Sequence, residues 1–352
     1  MLGAAQPDSC DDQEIGSFIM DVTSIPHRIS LPVGNTPIVQ LDLNVNGVER
    51  LLGLKLEAYN PCGSLKDRVA QGLIDEVADQ VHREVGIIES TSGNLGVAMA
   101  AICNQRGINF NAVVDPHASP LLIERMRRLG SVVTIIDEPD PSGGYLMNRL
   151  QYVRGQLAAR PGLVWTNQYE SDENPKAHSL STAPELLRQV SGSTTVFVPV
   201  STGGTLAGFS RFAEAKNLAW RLIGVDVAGS AALGATAGPR VLSGIGASRP
   251  SYFLNLDKVE SVYVHAAEAI SACMWLADCA GVDVGGSSGA TVAAALRVLR
   301  SDPQLCDLVC ICPDGADRYL TTIYQLDWRE AHGVTSVQVA KGIELLNVRY
   351  IA

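Results

Sequence analysis

Residues 194–208 read TTVFVPVSTGGTLAG, and this stretch decides the fold class. Its first seven residues predict a buried strand, and LAGFSRFAEAKN, after the glycines, predicts a helix. EVGIIESTSGNLG at 84–96 repeats the order of strand, glycine-rich turn and helix. Strands that alternate with helices in this way predict an α/β fold with mainly parallel, buried strands.

The same alternation extends outward from both stretches. Helices are predicted from Ser64, Asn94 and Ser119, each in a favourable N-terminal position. In open α/β sheets, ligands bind where such turns follow the carboxyl ends of strands. Two glycine-rich turns about 110 residues apart therefore predict two lobes that share a cleft. Further strands are predicted at 51–57, 110–115, 131–137, 221–227 and 308–314.

Composition excludes several classes of protein. The chain has 352 residues, 33 of them glycine, with 46% hydrophobic and 18% charged residues and a net charge of −10. This composition is too apolar for a disordered chain, and the acidic balance does not fit a nucleic-acid binder. We expect no membrane span, because no apolar run reaches about 18 residues.

The cysteines and histidines indicate which cellular compartment to expect and whether to expect a metal site. The eight cysteines form no CxxC pair, and the six histidines show no ligand spacing. We therefore expect free thiols, no metal site and a reducing cytoplasm. The N-terminus lacks the basic and apolar regions of a secretory signal.

The turn STGGT at 201–205 is the first candidate binding motif. Backbone N–H groups at a helix N-terminus, with the hydroxyls of Ser201, Thr202 and Thr205, suit a phosphate monoester held without a metal. The motif matches neither GxxxxGK[ST] nor GxGxxG, which disfavours a nucleotide P-loop and a nicotinamide-binding enzyme. A tight turn without a ligand is the alternative.

Lys66, in NPCGSLKDR at 60–68, is the candidate nucleophile. A lysine in the first turn of a helix meets a positive potential, and partial desolvation would lower its pKa further. These conditions favour Schiff-base chemistry, although an ordinary surface lysine is the alternative. TSGNLG at 91–96 offers donors for a carboxylate, and GGSSG at 285–289 offers Ser287 or Ser288 as a neutral hydrogen-bond partner.

NPCGSLKDR, TSGNLG, STGGTLAG and GGSSGA occur in this order over roughly residues 30–330. Together they resemble the fold-type II pyridoxal-phosphate enzymes related to cysteine synthase and tryptophan synthase β-subunit. The resemblance implies a two-lobed α/β fold, pyridoxal 5'-phosphate as cofactor and a homodimer. It also implies these domains: an N-terminal tail at 1–30, a larger cofactor-phosphate lobe at 31–60 and 175–330, a smaller mobile substrate lobe at 61–174, and a C-terminal tail at 331–352.

The resemblance also implies roles for individual residues. Lys66 would attach the cofactor covalently and act as the catalytic base, Asn94 would contact the cofactor 3′-oxygen, and Ser287 would face the pyridine nitrogen. The cofactor phosphate would be held by Ser201, Thr202, Gly203, Gly204 and Thr205. The substrate carboxylate would be held by Thr91, Ser92 and Gln168.

Further motifs, including ESTSGNLG, VVDPHASP, GGYLMNRL, WTNQY and PDGADRYL, resemble one branch of this family. That branch, the N-(2-amino-2-carboxyethyl)-L-glutamate synthases, joins O-phospho-L-serine to L-glutamate. The resemblance implies a step toward 2,3-diaminopropionate for siderophores or peptide antibiotics, with a separate oxidative enzyme releasing that product.

Two departures from the usual motifs bear on the substrate. Leu95 stands where cysteine synthases usually have threonine, and GIGASR places Arg249 where this family has GIGAGF. Because arginine offers bidentate donors to phosphate, we expect Arg249 to bind the phosphate or a second carboxylate. A surface arginine is the alternative. Tyr145, with Arg149 one helical turn later, is a weaker candidate for substrate contact.

Three other functions remain open at this point. A cysteine synthase would use sulfide with O-acetylserine or O-phosphoserine, and Leu95 and Arg249 argue against the acetylated substrate. A dehydratase or deaminase of the same fold would release pyruvate. A scaffold or regulatory subunit that retains the cofactor is disfavoured by the intact set of Lys66, Asn94 and Ser287.

Overall fold

The computed structural model describes residues 32–351, except 92, 141–142, 191–193, 303–304 and 306. Its strands are β1 (Ile38–Val45), β2 (Val48–Leu56), β3 (Ile87–Ser90), β4 (Phe110–Val114), β5 (Val132–Ile135), β6 (Val164–Trp165), β7 (Thr195–Pro199), β8 (Arg221–Val227), β9 (Glu260–Val264), β10 (Asp307–Cys312) and β11 (Ile343–Ile351).

The helices connect these strands and cover the sheets. They are α1 (Lys66–Glu76), α2 (Asn94–Arg106), α3 (Pro120–Arg128), α4 (Leu146–Ala159), α5 (Glu173–Ala177), α6 (Ala183–Gln189), α7 (Gly204–Lys216), α8 (Ala266–Trp275), α9 (Gly286–Ser301) and α10 (Leu326–Ala331). Two π-helical turns, His178–Thr182 and Leu276–Ala280, follow α5 and α8. None of the described helices is long and apolar enough to cross a membrane.

The strands form two sheets. The larger has seven strands in the order β11-β1-β2-β10-β7-β8-β9, and the smaller has four in the order β5-β4-β3-β6. All pairs in the smaller sheet are parallel, as are those from β2 through β10, β7 and β8 to β9. The predicted α/β class with mainly parallel sheets is therefore confirmed.

Burial explains why the central strands are apolar on both faces. In β10, Cys310 and Cys312 pack into one hydrophobic cluster, while Val309 and Ile311 pack into another. Because neighbouring side chains of a strand point to opposite faces, helices must cover both sides of this sheet. These cysteines thus act as small apolar core residues.

The C-terminal segment differs from the prediction of a tail at 331–352. β11 pairs antiparallel with β1 along its whole length and forms an edge of the larger sheet. Its side chains are largely exposed or half-buried, so the segment lacks the apolar pattern by which the central strands were recognised. The strands of the smaller sheet all fall within 61–174, and the lobe boundaries themselves remain a prediction.

The start of α1 also differs from the prediction. Leu65, not Ser64, occupies the N-cap position, and no side chain caps the helix. Ser64 instead forms a β-bridge with Asp314. The chain before α1 is thus held by a long-range backbone contact. The predicted starts of α2 at Asn94 and of α3 after Ser119 are confirmed.

Candidate active site

Lys66 is the first residue of α1, and backbone contacts fix the chain that leads to it. The N–H of Leu65 donates to the carbonyl of Pro313 at 2.8 Å, next to the bridge between Ser64 and Asp314. One turn into the helix, buried Arg68 forms ion pairs with Glu57 at 2.7 Å and Glu185 at 3.1 Å. The helix start is thereby anchored to the segment after β2 and to α6.

The environment of Lys66 disfavours the charged form of its amine. Its side chain is half-buried, and removal from water lowers its pKa from 10.5 to about 8. Among the described residues, the ammonium forms no ion pair that would oppose this shift. The sequence predicted a lowered pKa from the helix N-terminus, whereas burial is the main physical cause here.

Asn94 is the first residue of α2, and its side chain contacts a residue far away along the chain. Its Nδ2 donates to Oδ2 of Asp314 at 2.7 Å, while its buried Oδ1 has no hydrogen-bond partner among the described residues. Asp314 also accepts a 2.8 Å hydrogen bond from the Tyr319 hydroxyl, and its backbone carbonyl accepts from the N–H of Gly285. Asp314 therefore links the Lys66 segment, Asn94 and the chain before α9.

Ser287 lies in the first turn of α9 and is buried. Its hydroxyl makes no hydrogen bond to another side chain in the part of the chain described. Gly285, before this helix, allows close approach, because a Cβ there would collide with the carboxylate of Asp314. The structure thus brings Ser287 to the same junction as Asn94 and the Lys66 segment.

The turn at 201–205 leads directly into α7. Gly203 adopts a left-handed backbone with φ of 88°, and α7 begins at Gly204. Thr202 Oγ1 accepts hydrogen bonds from the Gly204 N–H at 3.3 Å and from Asn174 Nδ2 at 3.1 Å. Ser201 donates to the carbonyl of Gly246 at 3.2 Å. The N–H groups of the first turn of this thirteen-residue helix have no partner within the helix, as an anion site requires.

Thr205, in the first turn of α7, is buried and contacts a histidine that the sequence reasoning did not single out. His178 Nε2 lies 3.2 Å from Thr205 Oγ1. The positive charge of Lys66 also acts on the pKa of His178, which places the amine close to this imidazole. We therefore expect Lys66 and the turn at 201–205 to belong to one site.

The turn after β3 is held by Thr91. Its Oγ1 accepts hydrogen bonds from the N–H groups of Gly93 at 3.2 Å and Gly96 at 3.0 Å. Ser92 lies outside the described residues. Gln168 is buried, and its Nε2 donates to the carbonyl of Ser90 at 2.6 Å. The structure therefore brings Thr91 and Gln168 to the same edge of the smaller sheet.

Glu89 also contacts the residues at this edge of the smaller sheet, and the sequence did not identify it as a site residue. It accepts hydrogen bonds from the Thr166 hydroxyl at 2.5 Å and from the N–H of Gln168 at 3.3 Å. Burial raises the pKa of Glu89 to about 7, against the effect of these hydrogen bonds. A glutamate between two isoleucines and a serine gives no signal of such contacts in the sequence.

Arg249 and Tyr145 both have protein partners. Arg249 pairs with Glu170 at 3.3 Å, and its guanidinium lies 5.5 Å from the ring centroid of Tyr169. Tyr145 precedes α4 and packs edge-to-face on His117, with ring centroids 5.2 Å apart. The charge of Arg249 is therefore partly neutralised within the chain.

Arg149, one turn after Tyr145, is the less satisfied cation. Its side chain is only 6% exposed, and its Nε lies 3.5 Å from Asp115 Oδ2. Its buried Nε and Nη1 nevertheless make no hydrogen bond to any residue that the structure describes. Its positive charge opposes the rise that burial causes in the pKa of the Tyr169 phenol, which places it near the Gln168 segment. Buried donors without partners are costly, so this guanidinium is suited to an incoming anion.

The described residues contain no group of three or more His, Cys, Asp and Glu placed to hold a metal ion. The polar groups at the site are instead an amine of lowered pKa, amides, hydroxyls and helix N–H groups. This donor set suits an organic phosphate and a carboxylate.

Comparison with known proteins places the chain in a family. Residues 29–314 match the family described as "Pyridoxal-phosphate dependent enzyme". An N-(2-amino-2-carboxyethyl)-L-glutamate synthase from Ralstonia nicotianae is 38% identical over 304 residues, which cover 84% of this chain and 89% of that protein. The synthase of the same name from Cupriavidus metallidurans is 37% identical over 303 residues, with the same coverage.

A solved structure shows the same architecture. The O-acetylserine dependent cystathionine beta-synthase from Helicobacter pylori superposes with a TM-score of 0.75 at 31% identity, covering 83% of this chain and 97% of that one. The matches in sequence and in structure both point to the family that the sequence motifs resemble. This chain is a member of the pyridoxal-phosphate dependent enzyme family, with the two-sheet α/β fold of its fold-type II members.

Proposed function

We propose that this enzyme joins O-phospho-L-serine to L-glutamate and releases phosphate, giving N-(2-amino-2-carboxyethyl)-L-glutamate. The observation that carries the proposal is the identity of 38% and 37% to two synthases of that name over most of the chain. In this β-replacement the Cβ–O bond of phosphoserine breaks, and a Cβ–N bond to the glutamate amine forms.

The residues of the site fit pyridoxal 5'-phosphate. The N–H groups at the start of α7 and the hydroxyls of Ser201, Thr202 and Thr205 would hold its phosphate, with Gly203 and Gly204 keeping the backbone close. Asn94 has a buried Oδ1 that no described residue contacts by a hydrogen bond, as expected of a side chain placed beside an organic group. Lys66 would attach it, and Ser287 would face its ring nitrogen. When bound, the cofactor supplies an electron sink for the substrate Cα.

The chain's own groups would then move the proton and hold the substrate. Lys66 Nζ would remove the Cα proton and return it to the product, a role that suits an amine with a pKa of about 8. Thr91, Ser92 and Gln168 would orient the substrate carboxylate. Arg149 would bind the substrate anion near Tyr169, with Tyr145 and Arg249 at the border of that site.

The cellular setting is part of the same proposal. We expect a cytoplasmic homodimer that acts on small amino-acid substrates. The adduct retains the glutamate skeleton, so an oxidative enzyme would have to release 2,3-diaminopropionate from it. That product would serve siderophore or peptide-antibiotic synthesis.

A competition between nucleophiles tests the reaction. The holoenzyme is incubated with O-phospho-L-serine together with L-glutamate, with sulfide, or with neither, and phosphate and products are measured. We expect phosphate release to match formation of the glutamate adduct, identified by mass spectrometry. Cysteine formation with sulfide and no adduct with glutamate would reject the proposal. Pyruvate release equal to phosphate release would show a lyase instead.

A cysteine synthase is the second candidate, because the structural neighbour from Helicobacter pylori is described as O-acetylserine dependent. That Leu95 disfavours the acetylated substrate stays a prediction. Its side chain is 2% exposed and packs in the hydrophobic core of the smaller sheet. The competition between L-glutamate and sulfide separates the two candidates, whereas replacing O-phospho-L-serine with O-acetyl-L-serine tests the leaving group, for which Arg149 is the residue that favours phosphoserine.

The pKa of Lys66 predicts how cofactor loading depends on pH. The neutral amine is the nucleophile, and its fraction rises as pH increases through about 8. We expect the rate of covalent loading of the apoenzyme, followed by visible absorbance, to rise up to that pH and then to level off. A Lys66→Ala variant, which binds the cofactor only non-covalently, gives the background. A rate that kept rising toward 10.5, the ordinary lysine value, would contradict the expectation.

A further inference from the structure

His178 is fully buried beside the turn that we assign to the cofactor phosphate, and no role has been given to it. It begins the π-helical turn His178–Thr182. Its Nε2 lies 3.2 Å from Oγ1 of Thr205, and its Nδ1 lies 2.9 Å from Oγ1 of Thr182. The imidazole thus connects two hydroxyls, one in the phosphate turn and one behind it.

Close backbone packing fixes this arrangement. Gly208 of α7 faces the segment, and a Cβ at Gly208 would lie 2.6 Å from Cβ of His178 and would also collide with the carbonyl of Pro175. Only glycine permits this approach between α7 and the chain at 175–178. The imidazole is therefore held against the first turns of the helix that carries Thr205.

The imidazole is uncharged. Burial lowers the pKa of His178 well below 6.5, and the positive charges of Lys66 and Arg68 lower it further. A neutral imidazole has one N–H donor and one acceptor nitrogen. One of its two hydroxyl partners must therefore donate to the ring, and the other must accept from it.

Thr182 decides which nitrogen carries the proton. Among the described residues, Oγ1 of Thr182 has no hydrogen-bond partner except Nδ1 of His178. Neighbouring Ser181 differs, because its hydroxyl donates to the carbonyl of Ala177 at 2.5 Å. If Thr182 accepted from an Nδ1–H, its own hydroxyl proton would be buried without an acceptor, which is costly.

We propose that Thr182 and His178 are positioning residues for Thr205. The Thr182 hydroxyl donates to Nδ1, the Nε2–H of His178 donates to Oγ1 of Thr205, and the Thr205 hydroxyl proton is left to donate to a cofactor phosphate oxygen. The opposite orientation would turn the lone pairs of Thr205 toward a dianion. This inference rests on the proposed role of residues 201–205 in binding the phosphate.

The tautomer of His178 is the first test. Holoenzyme labelled with ¹⁵N-histidine is studied by long-range ¹H–¹⁵N correlation spectroscopy, with a His178→Gln variant to assign the signal. We expect protonated Nε2 and unprotonated Nδ1, with no titration between about pH 6 and 8. A protonated Nδ1, or a cationic ring in that range, would overturn the proposal.

The second test separates positioning from general packing. Thr182→Val keeps the shape of the side chain but removes its hydroxyl, Thr182→Ser keeps the hydroxyl, and Ser181→Ala is the matched control on the same turn. We expect Thr182→Val to weaken pyridoxal 5'-phosphate binding about tenfold and to shift the ³¹P signal of the bound phosphate, while Thr182→Ser and Ser181→Ala resemble the parent enzyme.

Binding of pyridoxal, which lacks the phosphate, completes the test. We expect Thr182→Val to leave pyridoxal affinity unchanged, whereas a merely structural loss would weaken both ligands equally and would overturn the proposal. None of these measurements uses an amino-acid substrate, so they do not depend on which nucleophile the enzyme accepts. An unchanged ³¹P signal in Thr205→Val would instead reject the assignment of the phosphate site.

Discussion

A Lys66→Ala variant is expected to lose the visible absorbance of the covalently held cofactor and to lose measurable turnover. Alanine removes both the amine that attaches the cofactor and the base that moves the substrate Cα proton. Loss of a positioned general base alone slows reactions by about 10²- to 10⁴-fold, and loss of covalent attachment adds to this. Absorbance spectra and phosphate release from O-phospho-L-serine measure the two effects.

Two controls distinguish this expected loss of activity from misfolding of the variant. Lys176→Ala changes a lysine that is 47% exposed, and it should retain both the absorbance and the activity. Lys66→Ala should still bind the cofactor non-covalently, because Arg68, which anchors α1 through Glu57 and Glu185, is intact. Full absorbance and full turnover in Lys66→Ala would reject Lys66 as the attachment residue and as the base.

The fold was predictable because its central strands are short, apolar and followed by glycine-rich turns. β8 lies at 221–227, as predicted, and α2 begins at Asn94 and ends before Gly107, whose φ is 66°. The two strands at the antiparallel end of the larger sheet, β11 and β1, were less visible. β1 and β11 alternate polar with apolar residues or expose most of their side chains, so their identity depends on pairing with each other.

The candidate site was predictable where glycines and hydroxyls form local motifs. Asp314, Glu89 and His178 gave no such signal, because their partners lie far away along the chain. Asp314, for example, accepts a hydrogen bond from Asn94, 220 residues earlier. Only the folded chain brings these residues together, and their burial, which alters their pKa values, is a property of tertiary structure.

Arg249 and Arg149 show the same limit of prediction from sequence. Arg249 stands out in the sequence because it departs from a motif, but the structure pairs it with Glu170. Arg149 looks like an ordinary helical residue, yet the fold buries it, and two of its nitrogens have no hydrogen bond within the described part of the chain. Packing around α4, and not the departure from a sequence motif, therefore determines whether Arg149 or Arg249 is available to bind an anion.

Arg149→Gln is expected to lower kcat/KM for O-phospho-L-serine by about 10- to 150-fold, the effect of losing a hydrogen bond to a charged group. Glutamine retains a polar, uncharged side chain, but it is shorter and cannot supply the charge or the paired donors of a guanidinium. Activity with O-acetyl-L-serine, which lacks the phosphate dianion, should fall much less. The ratio of the two kcat/KM values measures the selectivity for the leaving group.

Arg154→Gln is the matched control for this change, because Arg154 lies on the same helix but is exposed. We expect it to leave both substrates unaffected. Arg249→Gln, which breaks a half-exposed pair with Glu170, should have a smaller effect than Arg149→Gln. If Arg149→Gln lowered the activity with both substrates equally, the guanidinium would bind the part they share, the amino-acid carboxylate. If neither activity changed, Arg149 would have no part in substrate binding, and selectivity for phosphoserine would have to come from Arg249.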